Sequence, residues 1–409
     1  MLRTGSICAS LLYKYLTTPT DAVDKKDAYQ QNLLKVKLLG ETFANYGGIL
    51  SKIAQMVSYT YGNHESDVYS NCKPINSEKT IEFFENEILE FEDELLSYDI
   101  NIFKSGSVGQ VHRAVYKDGR DIIFKVQYVG LTEMFESDIY VVDSIAKYLF
   151  CNNNIYNGMN DIKKQVFEEL DYRIEAKNQA LIAEYWSGDK DMIGIPKLIP
   201  ELCNEKILCM EYIANCESLS EFLNTSTPEE ISYIGNVIIR FMFTNLFKHK
   251  LIYTDVHYGN FLVENKRKLY ILDFGSVNYI DDDVHKNLFH LLNTVYLRDK
   301  ESFFTVIENM GITIPDNPLS DESKAYMWDY FTLQLAPWIY NEDEEGFLFT
   351  EAWVDECGIR DVELMKEWIL PSNVIWLNKL CHGFIHILGK MNFKGNSIGL
   401  FKELGVYDY

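Results

Sequence analysis

Apolar and polar positions change period several times along the chain. Residues 29–60 carry a helical spacing: Leu33, Leu34, Val36, Leu38 and Leu39, a Gly47-Gly48 break, then Ile49, Leu50, Ile53, Met56 and Val57. On the second of these stretches Lys52 and Gln55 lie three apart and share one face, away from the apolar set. By spacing alone Lys52 reads as a solvated charge. Residues 63–78 are polar and turn-rich, which predicts a linker. Residues 79–97 read as an acidic amphipathic helix through Ile81, Phe84, Ile88, Leu89 and Phe91.

From residue 100 the period falls to two. Val108–Tyr116, a Lys117-Asp118-Gly119-Arg120 turn and Asp121–Gln127 predict a strand, a tight turn and a second strand. Residues 161–186 return to a helical period, with Ile162, Val166, Leu170 and Ile174 spaced by four; Asp171 and Glu175 share another face, and Glu169 points elsewhere. KILCMEYI, residues 206–213, predicts a strand, and 228–250 a helix with Ile231, Ile234, Val237, Ile238, Phe241, Met242 and Leu246 inward. After Gly275 a helix is expected almost at once. The region 284–409 reads as mostly helical, with Trp328, Trp338, Trp353, Trp368 and Trp376 as core.

Chemistry concentrates in Tyr253–Gly275, YTDVHYGNFLVENKRKLYILDFG. Asp255-x-x-x-x-Asn260 is followed, thirteen positions after Asn260, by Asp273-Phe274-Gly275 at the mouth of the apolar run Leu269–Leu272. One Asp to orient or deprotonate a nucleophile, an Asn for a metal ion and a second Asp for Mg²⁺ is the arrangement phosphoryl transfer needs. His257 is read as shaping this loop; neither it nor His112 has a second ligand at metal spacing. A loop with Gly106, Ser107, Gly109 and Val111 enters the first strand of the pair and partly matches a nucleotide-binding glycine loop, with Lys104 where a first glycine would stand. Lys125 follows Val111 by fourteen positions inside an apolar strand, so a buried ammonium there needs an anionic partner. Phosphates and a helix carboxylate serve, and Asp171 and Glu175 both remain open as that carboxylate. Glu211, Tyr212 and Ile213 close the 206–213 strand where backbone groups could meet a purine.

Composition narrows the classes. The chain has 409 residues, 47% of them hydrophobic, enough for a large core in two parts. A net charge of −23, from 61 acids and 38 bases, argues against a nucleic-acid partner. The 8 cysteines are scattered with no C-x-x-C pair, which predicts reduced thiols and an intracellular setting. No secretory signal and no transmembrane run are expected; the apolar stretch Val237–Phe243 is interrupted by Arg240.

Together these segments resemble the UbiB/AarF-type atypical kinases, the ubiquinone-biosynthesis-associated protein-kinase-like ATPases. Lys52-Ile53-Ala54-Gln55 looks like the family's K-x-G-Q motif with Ala54 in the glycine position. Ser107–Ala114 with DGRDIIFKVQ is similar to its nucleotide-loop strand pair. Glu169-Leu170-Asp171-Tyr172-Arg173 followed by Glu175-Ala176 looks like its E-x-D segment and helix glutamate. Thr254–Asn260 resembles its D-P-H-P-G-N loop, with Val256 and Tyr258 in place of proline.

The resemblance implies an α+β, bilobal protein-kinase-like fold. A helical extension over residues 1–97 would carry the K-x-G-Q-like motif, a small β-containing N-lobe with a helical insertion would span 98–213, and a helical C-lobe 214–409. It implies ATP and Mg²⁺ as cofactors, a Lys125–Glu175 ion pair, Asp255 as the catalytic carboxylate, and Asn260 and Asp273 as metal ligands. Lys52 and Gln55 would reach over the place where a peptide substrate sits in ordinary kinases, with Glu169 and Asp171 as their polar partners. The acceptor is left open among a lipid or quinone precursor, a protein, or water in an ATPase, and peripheral membrane contact is also open. Lys104-Ser105-Gly106-Ser107 replaces the family's alanine-rich loop, so nucleotide handling nearer to ordinary kinases is expected. Two other readings compete: a small-molecule phosphotransferase, which shares the D-x-x-x-x-N loop, and a nucleotide-binding interaction module without catalysis.

Overall fold

The computed structural model describes residues 77–106, 108–136, 167–313, 320–339 and 346–406. Lys52, Gln55 and Ser107, and with them most of the expected 1–97 extension, lie outside the described residues.

The first part is an antiparallel sheet. β1 (Leu95–Tyr98), β3 (Gly109–Tyr116), β4 (Asp121–Gln127) and β6 (Ile207–Glu211) lie side by side in that order, and the two-residue β2 (Lys104–Ser105) pairs with the start of β3. The Asp118-Gly119 turn sets the β3–β4 register, so that Val111 faces Lys125 and Gly109 faces Gln127. Gly119 takes φ +89°, a backbone region costly for residues with a Cβ.

Strand alternation gives the sheet two apolar faces. Ala114, Tyr116, Ile122, Phe124 and Val126 form one cluster with Phe84 and Ile88 of α1 (Ser77–Leu89), which lies across that face. Phe84 stacks on the buried His112 ring with centroids 4.4 Å apart. Burial lowers the pKa of His112, so the ring is neutral at ordinary pH. The other face carries Ile123, Lys125, Leu208 and Met210 toward α2 (Tyr172–Tyr185).

Three boundaries differ from the periodicity reading. The acidic helix expected to Ser97 stops at Leu89, and Leu95–Tyr98 is instead the edge strand β1, whose partner is β3. Its apolar residues are paired to a sheet that short-range periodicity cannot show. The 161–186 helix is interrupted: Asp171 is extended and caps a new helix at Tyr172 by accepting from the Arg173 amide at 3.0 Å. A short strand β11 (Val277–Tyr279), paired with β8 (Leu251–Tyr253), precedes the helix expected directly after Gly275.

The second part is mainly helical. A four-residue link with Asn215 at φ +58° leaves β6 for β7 (Cys216–Ser218) and α3 (Leu219–Thr225). Thr227 and Glu230 form a capping box at α4 (Pro228–Phe243), with Pro228 in the first turn where its missing N–H costs nothing. A single π turn, Thr244–Lys248, ends α4 and feeds β8. β9 (Phe261–Glu264) and β10 (Lys268–Ile271) form a hairpin that carries β7 on one edge and β5 (Ile193–Gly194) on the other.

Helices α5 (Asp282–Tyr296), α6 (Lys300–Asn309), α7 (Asp321–Ile339), α8 (Glu351–Glu367) and α9 (Ser372–Lys390) pack on one another, and α9 packs on α4, around one shared apolar core. Trp328, Trp338, Trp368 and Trp376 are buried there and Trp353 packs at the margin. No helix among the described residues is long and apolar enough to cross a membrane.

Candidate active site

The site lies between the Lys125 face of the sheet and the β8–β10 region. Lys125 projects from β4 and its Nζ donates to both oxygens of Glu175, at 2.8 and 2.9 Å, and to Asp273 Oδ2 at 2.8 Å. Glu175 is on α2, one turn past the Asp171 cap. Asp171 forms a forked pair with Arg173 instead of meeting Lys125, with Nε at 2.8 Å and a terminal nitrogen at 2.7 Å. The two carboxylates left open by periodicity are thus separated by the helix start: the cap faces solvent and the first-turn acid faces the sheet.

Asp273 follows β10 and is bonded on both sides. Its Oδ1 accepts from the Gly275 amide at 3.0 Å, while Oδ2 holds Lys125. The Tyr253 hydroxyl donates to its backbone carbonyl at 2.9 Å. Phe274 is fully buried, and Asn178 of α2 donates to its carbonyl at 3.1 Å. Asn178 also accepts from the Tyr279 hydroxyl at 3.3 Å, so one helix side chain ties the turn to β11.

Asn178 and Tyr253 were not singled out by sequence. Asn178 lies three after Glu175 and therefore on the same helix face, which is the signal that could have found it. A Cβ on Gly275 would come 3.3 Å from Asp273 Oδ1 and 3.6 Å from both Glu169 Cγ and Glu175 Oε2. Glu169, 7% exposed, therefore sits against the same turn.

Asp255 is 6% exposed on the loop after β8. The Asn260 amide donates to its backbone carbonyl at 2.9 Å and to Oδ2 at 3.2 Å. His257 accepts from the Gly259 amide through Nδ1 at 3.1 Å, and its Nε2 is 3.7 Å from Asp255 Oδ2. The structure thereby gives His257 a loop-shaping position. The Leu272 amide donates to Asn260 O, fixing the loop to the end of β10.

Electrostatics couple these groups. One ammonium faces two carboxylates, Glu175 buried and Asp273 half-buried. Burial and the neighbouring Asp273 charge push the Glu175 carboxyl up to about 7, against the pull of Lys125. Asp273 is opposed by its burial and by Asp255, yet its pKa is lowered by the Lys125 ammonium and the Gly275 amide. Burial works against the charged Lys125, but the two carboxylates hold its pKa well above the ordinary lysine value.

The Glu175 contribution to stability is full below its unfolded value near 4.5 and is lost as pH rises through about 7. The melting temperature of the wild type relative to Glu175→Gln is expected to fall between about pH 5 and pH 8. A difference that stays flat over that window would show that Glu175 titrates normally.

Over the cleft, the Gly106 amide donates to Gly109 O at 2.8 Å, and the Tyr128 hydroxyl donates to Gly106 O at 3.3 Å. Gly109 has no room for a side chain: a Cβ would lie 2.5 Å from Val126 O and 2.7 Å from the Tyr172 hydroxyl. Gly106 is open by comparison, with Gly109 O 3.5 Å from a Cβ. The steric need for glycine in this loop therefore falls on Gly109. At the β6 end, the Glu211 amide donates to Lys197 O and the Tyr212 amide to Asp121 O, and Ile213 follows in the link. Arg113 lies over the Tyr212 ring at 4.2 Å.

A buried ammonium gripped by a helix carboxylate and a post-strand aspartate, across from an Asp–Asn loop, defines a protein-kinase-like site. The family model described as the ABC1 atypical kinase-like domain matches residues 67–307, and the chain belongs to that family. Among its curated relatives are Protein ACTIVITY OF BC1 COMPLEX KINASE 8, chloroplastic, of Arabidopsis thaliana, 24% identical over 71% of this chain and 39% of that protein. Atypical kinase COQ8, mitochondrial, of Saccharomyces cerevisiae is 23% identical over 74% of this chain and 61% of that protein. Probable protein kinase UbiB of Pseudomonas fluorescens is 23% identical over 65% of this chain and 52% of that protein.

These matches span between 39% and 61% of the relatives' lengths. A solved structure titled the complex of Rv3197 with erythromycin from Mycobacterium tuberculosis shares the fold. Its TM-score is 0.65 at 19% identity, over 93% of this chain and 99% of that one.

Proposed function

We propose that the chain binds ATP with Mg²⁺ in this cleft and transfers or hydrolyses the terminal phosphoryl group. The observation that carries the reading is the convergence of Lys125, Glu175 and Asp273 on one side with Asp255 and Asn260 on the other.

The donor set fits a hard cation. Asp273 and Asn260 offer carboxylate and amide oxygens, and no cluster of three or more His, Cys, Asp or Glu at metal geometry occurs among the described residues. Oxygen donors of this kind suit Mg²⁺, a hard cation bound through few carboxylates beside phosphate oxygens and water. When bound, the ion's chemistry is neutralisation of charge on the phosphates.

The chain's own groups do the rest. Lys125 holds the phosphate chain and exchanges Asp273 for it, while Glu175 keeps the ammonium in place. Asp255 orients or deprotonates the attacking oxygen, with Asn260 and His257 fixing its loop. Ile213 offers the purine edge a backbone donor, because the Glu211 and Tyr212 amides are already bonded. Gly109 brings the loop backbone close to the phosphates.

The run from Gly275 to α5 is short and pinned by β11 to β8, which leaves little platform for a peptide. That favours water or a small acceptor, with a link to quinone or lipid metabolism suggested by the UbiB/AarF resemblance.

Melting temperature with ATP and Mg²⁺ tests the reading. A ligand at a hundred times its Kd adds about 2.7 kcal/mol, so wild type should show a clear metal-dependent rise and Asp273→Asn none. No rise in wild type would favour an interaction module. Phosphate release without an added acceptor would separate hydrolysis from transfer.

A further inference from the structure

Tyr172 is the first residue of α2 and is 1% exposed. Its amide donates to Glu205 O at 2.9 Å, which fixes the start of the helix against the loop before β6. The ring packs on Leu208 and Met210, and Lys125 Nζ stands 5.2 Å from its centroid. The hydroxyl, by contrast, is buried with no hydrogen-bond partner. It points at the loop: a Cβ on Gly109 would come within 2.7 Å of it.

A buried hydroxyl left unpaired costs the free protein stability, and phenylalanine would fill the same space without that cost. The hydroxyl neighbours Gly109 while the ring of the same side chain neighbours Lys125, which would hold phosphates.

We propose that the Tyr172 hydroxyl is a hydrogen-bond donor held for the phosphate chain of a nucleotide entering beside Gly109. This rests on the nucleotide reading above. With phosphates bound, the hydroxyl donates a hydrogen bond to a phosphate oxygen beside Lys125. The ring face keeps Lys125 in register as Asp273 is exchanged.

Calorimetric titration of wild type and Tyr172→Phe with ATP·Mg²⁺, ADP·Mg²⁺ and adenosine, with melting of both ligand-free proteins, tests this. Expected are a ligand-free melting temperature equal to or above wild type and unchanged adenosine binding. ATP and ADP should bind about tenfold to a hundredfold more weakly, the range for a hydrogen bond to a charged group.

ATP binding equal to wild type overturns the inference alone. Equal losses for adenosine and ATP, or a lower ligand-free melting temperature, also overturn it, because the hydroxyl then serves the free structure. Absence of ATP binding by wild type overturns the nucleotide reading, and the inference falls with it.

Discussion

Replacing Lys125 by Met is expected to destabilise the protein by about 3–5 kcal/mol, the range for breaking a buried ion pair by removing one partner. The side chain is only 18% exposed and its ammonium is shared by Glu175 and Asp273. Without it, the buried Glu175 and the half-buried Asp273 share a site with no counter-charge. Protonating one of them relieves the repulsion, so the deficit should be larger at pH 8 than at pH 5. Denaturant midpoints at the two values measure this directly. A second change, Glu175→Gln, should recover part of the loss at pH 8, because it removes one uncompensated charge. Equal midpoints for Lys125→Met and wild type at pH 8 would mean that the ion pair does not hold the cleft together. Nucleotide binding should be lost in the single variant whatever its stability.

Asp255→Asn should behave in the opposite way. The amide is nearly isosteric, and the Asn260 contact to the Asp255 backbone carbonyl does not involve the substituted group. Folding and the ATP·Mg²⁺-induced rise in melting temperature should survive. Nucleotide turnover should fall by about 10²–10⁴-fold, the usual contribution of a positioned general base. Steady-state phosphate release, compared with the thermal shift on the same sample, separates the two effects. Turnover within a few-fold of wild type would remove Asp255 from the chemical step.

Much of this site could be read from local sequence, for a physical reason. Lys125 stands out because an ammonium in an apolar strand needs a partner. Asp255, Asn260 and Asp273 stand out because their spacing is set by one β-hairpin, β9–β10, that separates the two motifs. What stayed hidden depends on contacts distant in sequence. Asp171 and Glu175 look equivalent on a continuous helix. They differ only because Asp171 is an extended cap, held by Arg173, and the helix begins after it. An Asp ahead of a helical run with an acid in its first turn is a start signal, but the apolar stripe through Leu170 masks it. β1 looks like the end of an acidic helix because its pairing partner β3 begins some dozen residues later. Tyr172 carries no signal of its own in the sequence, since nothing in its neighbours announces that Gly109 and Lys125 converge on it.

The placement of α1 has a consequence for where the folding unit begins. Phe84 and Ile88 complete the outer cluster of the sheet with Ala114, Ile122, Phe124 and Val126, and the Thr80 hydroxyl accepts from the Val129 amide just beyond β4. A fragment starting after Leu89 would keep every residue of the cleft yet leave that apolar face to water. A kinase-like unit with a closed core therefore requires residues from Ser77 onward, although α1 supplies none of the cleft residues described above.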